Sequence, residues 1–189
     1  MREPKTGPLS LGRKFAVLSV KGVAGDGGFS GYASVFGEID LGKDVIERGA
    51  FARSIGRKGA GGVRMLFQHD PAEPIGRWKR IAEDGHGLYV EGQLTLGAPR
   101  ADEVYAHLKN RALDGLSIGF RTVRAETDRK TGIRRILEAD LWEISVVTFP
   151  MLPSARIVTV KHLPDRRAER LAARIERARR GIVAPRSTL

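Results

Sequence analysis

Three side chains of complementary chemistry, His69, Ser117 and Glu143, stand where strand-like runs end or alternate. His69 closes the apolar run VRMLF and is followed by Asp70 and Pro71, so a strand delivers an imidazole to a loop mouth, where a proton acceptor is useful. Taken alone, a histidine at a strand end reads more readily as a structural residue. Ser117 lies between Gly115 and Gly119, small residues that let a substrate approach the backbone closely, although LSIGF by itself also describes a half-buried strand. Glu143 is flanked by Leu141, Trp142, Ile144 and Val146, and a carboxylate in an otherwise apolar strand needs a reason. A hydroxyl is a weak nucleophile until a base takes its proton, and that base works best when an acid fixes its tautomer. His86, His107 and His162 sit among polar or turn residues and read as surface histidines.

Bringing these groups together requires a hairpin. LSIGFRTVRAE and IRRILEADLWEISVVTF are strand-like and joined by the polar TDRKTG. A turn near Lys130 places Ser117 opposite Glu143 or within a residue or two of it. Cross-strand Cβ atoms stand about 4.5–5.5 Å apart, a gap that an imidazole from a third strand can bridge. VRMLFQH, PIGRWKRIA and GLYVEGQLTL supply further strands, with HDPAE and EDGHG as turns. Near the start, the alternating run Phe15 to Val20 and FSGYASVFG read as an opening hairpin. A short helix is expected between Asp44 and Arg57, ending in KGAGG. A second begins near Pro99, carries Val104, Tyr105, Leu108 and Ala112 on one face, and stops at Gly115. With ARIVTV as the last strand, about seven or eight strands and two helices suit a barrel or small sandwich.

Composition restricts the chemistry further. The absence of cysteine among 189 residues removes disulfides, thiolate metal sites and a thiol nucleophile together. His69, Asp70 and His86 lack the spacing of a metallohydrolase helix, so neither metal nor other cofactor is expected. No run approaches the roughly 18 apolar residues of a membrane span, and the first residues lack a secretory pattern, which points to the cytoplasm. The formal charge of +11 invites a nucleic-acid reading, but nine Lys or Arg against three acids lie beyond residue 160. After Pro164, Ala168, Leu171, Ala172, Ile175 and Ala178 define one face of an amphipathic helix, suited to an acidic partner. The expected organisation is a flexible arm over 1–12, a catalytic β domain over 13–162 and a basic tail over 163–189. A non-enzymatic barrel binding scaffold or nucleic acid is the alternative, weakened by an aromatic content of 6% with no stacking pattern.

Beyond these local readings, FSGYASVFGEID, ERGAFARSI, MLFQHDPAEPIGRW, LDGLSIGF and LWEISVVTFPMLPSARI, in this order, resemble the landmarks of the prohead proteases of tailed phages. That family is related in fold to the herpesvirus assemblins, and the likeness covers roughly residues 14 to 160. It implies a closed, mostly antiparallel β-barrel with peripheral helices and a serine endopeptidase acting inside the immature shell of a phage or gene transfer agent. Its substrates would be scaffold and major capsid protein; homo-oligomers are possible and nucleic acid is not required. The resemblance assigns Ser117 as nucleophile and His69 as base, with Glu143 as third member ahead of Asp70 and Asp140. It also places the oxyanion donors in the loop Pro150 to Ser154, on the N–H groups of Met151 or Leu152.

Overall fold

The computed structural model describes residues 26–160. The expected arm, the strand over Phe15 to Val20 and the basic helical tail lie outside them. The elements run β1 (Gly28–Val35), β2 (Asp44–Ile46), α1 (Ala52–Lys58), a 3-10 turn (Ala60–Gly62), β3 (Arg64–Phe67), β4 (Asp70–Glu83) and β5 (Gly87–Leu94). There follow α2 (Pro99–Lys109), β6 (Gly115–Thr127), β7 (Arg134–Val147) and β8 (Ile157–Val160).

All eight strands belong to one sheet. Its spine is β7-β3-β4-β5-β1-β8, with β6 on the other edge of β7 and β2 beside the start of β7. Most pairings are antiparallel, but β2 and β3 both run parallel to β7. The expected closed barrel is therefore only partly realised. The sheet curls until β8 and β6 meet at a single bridge between Gly115 and Arg156, through Leu116 N–H to Ala155 O (3.0 Å) and Ile157 N–H to Asp114 O (2.8 Å). Past that bridge, among the described residues, β6 pairs with no strand on its outer edge, and the ladder stays open as a half-barrel.

Alternation decides which face is packed. Leu116, Ile144, Val146 and Met65 point inward with Phe29, Ile75, Trp78, Leu88 and Val90, and all are almost fully buried. In α2, Pro99 occupies the first turn, Asp102 accepts from Gly97 N–H, and Ala101, Val104 and Leu108 form the buried stripe. The helix stops earlier than Gly115, because Arg111 takes a left-handed conformation (φ 60) just after Lys109. The first helix also starts later than expected: Asp44–Ile46 extend along β7, and only Ala52–Lys58 are helical.

Candidate active site

The hairpin of β6 and β7 sets Ser117 directly opposite Ser145 and Gly119 opposite Glu143. Paired residues share a face, so Ser117, Gly119, Glu143 and Ser145 all point outward while Leu116 and Ile144 point into the core. The expected register holds to within two residues. Gly119 has a different task from the one its size suggested: a Cβ there would stand 2.2 Å from Glu143 Oε1 and 2.8 Å from its Cδ. Only glycine leaves room for this carboxylate, which is folded down across the neighbouring strand.

His69 arrives from the β3–β4 hairpin. Phe67 pairs with Asp70, leaving Gln68 and His69 as a two-residue turn, and both have positive φ (54 and 62). This is the backbone signature of a type I′ hairpin, usually filled by Asn-Gly. Residues with side chains larger than asparagine or glycine cost about 1–2 kcal/mol each in this conformation. The turn is held by Gln68 N–H to Val146 O (3.0 Å) and His69 N–H to Ser145 Oγ (3.1 Å). Gln68 Nε2 also donates to Thr148 Oγ1 (2.7 Å), tying the turn to the segment after β7.

The half-exposed imidazole meets Glu143 at 2.7 Å between Nδ1 and Oε1. That hydrogen bond raises the histidine pKa above its ordinary value, partial burial opposes the rise, and the carboxylate charge adds to it. The other carboxylate oxygen accepts from Ser145 Oγ (2.6 Å). With Nδ1 directed at an acid, Nε2 is the nitrogen left to accept a proton.

The two facing serines differ in what their hydroxyls can do. Ser145 is fully buried and engaged by both Glu143 and the His69 backbone. Ser117 is 4% exposed, yet among the described residues its hydroxyl has no hydrogen-bond partner, His69 included. It lines a cavity of about 200 Å³ that also contains Met151 and Leu152. Among the described residues the N–H groups of Met151 and Leu152 make no hydrogen bond, although Met151 O accepts from Leu41 N–H and Leu152 O from Ala155 N–H. Gly115 seats this loop, since a Cβ there would meet Pro150 Cδ at 2.9 Å.

The two alternative acids, Asp70 and Asp140, are occupied elsewhere. Asp70 Oδ1 caps Ala72 N–H in a local turn. Asp140 accepts from Ser54, Arg57 and Trp142 and pairs with Lys58 at 2.7 Å, and the Lys58 ammonium above all holds its carboxyl far below the usual range. Sequence reasoning did not single out Ser145. Its signal was present as a polar pair, Glu143 and Ser145, two apart on one face of an apolar strand and facing another small or polar pair, Ser117 and Gly119.

Residues 15–167 match the family model described as caudovirus prohead serine protease. The prohead protease of enterobacteria phage HK97 is 40% identical over 136 residues, covering 70% of this chain and 60% of that protein. The prohead protease of Escherichia phage T5 is 36% identical over 86 residues, 46% of this chain and 40% of its own length. The chain thus spans about 60% or less of these two relatives. Among solved structures, the capsid assembly protease of bacteriophage T4 superposes with a TM-score of 0.55 at 14% identity, over 65% of this chain and 82% of that one, which speaks to the fold. With a family match over most of its length, and with the T4 enzyme sharing its fold, the chain belongs to the caudovirus prohead serine proteases.

Proposed function

We propose that this protein is a serine endopeptidase that processes scaffold and major capsid protein within an assembling prohead. Ser117 is the nucleophile, His69 the base and Glu143 the acid that orients it. The observation carrying this reading is the 2.7 Å contact of His69 Nδ1 with Glu143, made two residues along the ladder from Ser117, a cavity-lining residue whose hydroxyl has no partner among the described residues. Nε2 takes the Ser117 proton as Oγ attacks the scissile carbonyl, and the imidazolium that forms is stabilised by the carboxylate. The proton then passes to the leaving amine. Water repeats the sequence on the acyl-enzyme and restores Ser117.

The free N–H groups of Met151 and Leu152 are the donors for the oxyanion, and losing one such donor typically costs about 2.7–4 kcal/mol of transition-state stabilisation. The single Gly115–Arg156 bridge supports closure of the sheet into a barrel when an extended substrate lies along the open edge of β6. Residues 13–162 form the catalytic unit, and the basic segment 163–189 docks on an acidic partner in the shell.

Co-expression with the capsid protein tests the assignment. Wild-type protein should cut it, Ser117→Ala should leave it intact while keeping the same circular dichroism and melting behaviour, and a peptidyl phosphonate should label Ser117 alone. Cleavage by the alanine variant would refute the reading.

A further inference from the structure

The cavity beside Ser117 has a composition unlike the rest of the chain. Against a formal charge of +11, no Lys, Arg or His among the described residues lines it, while Glu38, Asp40 and Asp44 do. Its remaining wall is largely apolar, with Ala33, Ile46 and Leu116 buried and Met151 half-exposed. The nearly buried Ser117 is among the residues that line the same space.

The three acids are not equivalent. Asp44 is already held by Arg134, whose Nε donates at 2.8 Å and whose second nitrogen lies 2.5 Å from the other oxygen. Asp40 uses Oδ1 to cap the N–H groups of Gly42 and Asp44, both at 2.8 Å, and Oδ2 has no partner among the described residues. Among the described residues Glu38 accepts only the Ser154 hydroxyl, on Oε2. Two carboxylates therefore keep acceptor capacity and negative charge. They do not gather as a metal site, because among the described residues no three His, Cys, Asp or Glu side chains stand close enough to hold an ion.

We propose that this cavity is the primary specificity pocket and takes the long basic side chain, lysine or arginine, of the residue on the acyl side of the scissile bond. The apolar wall suits the methylene stem, and Glu38 and Asp40 suit the cationic head. The side of the bond follows from the proton path. The leaving amine collects its proton from His69, which does not line this cavity, whereas Met151 and Leu152, the oxyanion donors, do.

Backbone recognition fits the same placement. Leu116 directs its N–H outward to Ala155, and Ile118, two residues on with no shift of register, offers its N–H and C=O on the same open edge of β6. An extended substrate can add there as a further strand.

This inference rests on Ser117 being the nucleophile, and the test separates the two claims. The full chain is treated with peptidyl phosphonates identical except for a lysine, norleucine or glutamate side chain at the first acyl-side position, and the rate of Ser117 labelling is followed by mass spectrometry. The lysine probe should react faster than the norleucine probe by about 10- to 100-fold, the range expected for hydrogen bonds to a charged group. Glu38→Gln combined with Asp40→Asn should shrink that ratio towards one. Labelling of Ser117 at equal rates by lysine and norleucine, or faster by glutamate, overturns the pocket assignment and leaves the nucleophile standing. Absence of Ser117 labelling by every probe overturns both.

Discussion

Glu143 occupies the volume that a side chain on Gly119 would need, since its Oε1 lies 2.2 Å from where that Cβ would be. The acid that meets the imidazole is therefore positioned by the absence of an atom on the neighbouring strand. Gly119→Ala should displace the carboxylate from His69 without unfolding the sheet, because the glycine lies on the outer face. The expected result is near-complete loss of peptide cleavage with a melting temperature within a few degrees of wild type, measured by hydrolysis and calorimetry side by side.

The pH profile should report the same contact. His69 has a pKa raised above 6.5, first by its hydrogen bond to Glu143, so the base form needed for catalysis appears only above that value. In Glu143→Gln the rising limb of activity should move down towards the ordinary histidine range, while the maximal rate falls on the order of 10⁴-fold, as loss of the orienting acid does in serine proteases. Linkage fixes the sign for stability. A raised histidine pKa stabilises the fold fully below 6.5 and ceases to do so as pH climbs through the raised value. Glu143→Gln should accordingly lose more stability at pH 6 than at pH 9.

In the proposed mechanism Ser145 acts as a positioning residue. Its hydroxyl donates to Glu143 at 2.6 Å and accepts from His69 N–H at 3.1 Å, so Ser145→Ala releases both partners. A hydrogen bond to a charged group contributes about 1.5–3 kcal/mol, which corresponds to a loss of about 10- to 100-fold in kcat if it acts in the transition state. KM should be unchanged, the pH limb should shift, and Ser145→Thr should recover part of the rate. An unaltered pH profile would mean that the hydroxyl merely packs.

Asp140 should govern acid stability and nothing in the chemistry. Its carboxyl is held far below the ordinary range by Lys58, with Trp142 and Ser54 contributing and burial opposing. A depressed pKa stabilises the fold above the unfolded carboxylate range, and that contribution is lost as pH falls through the folded value. Asp140→Asn should melt earlier than wild type at pH 7, the gap should narrow as pH drops below about 4, and the pH dependence of cleavage should stay the same.

How much of this was legible depended on whether the determinants were local. The β6/β7 register could be read from the alternation around Ser117 and Glu143 and from the turn near Lys130, all within one hairpin. The outward face of the site followed from that parity. By contrast, β2 is three residues long and exists because β7 offers it a parallel edge, which no local pattern announces. The Gln68-His69 turn was hidden for a related reason: Gln-His does not favour positive φ, and the conformation is imposed by Val146 and Ser145 far along the chain. Ser145 escaped notice because a serine in an apolar strand reads as ordinary until its partner across the ladder is known.

The meeting of Gly115 with Arg156 lies only two residues from Ser117. One short strand, β8, is at once the neighbour of β1 and the clasp on the strand that carries Ser117. A displacement of β8 would therefore reach the strand that carries Ser117 through two backbone hydrogen bonds, without crossing the hydrophobic interior.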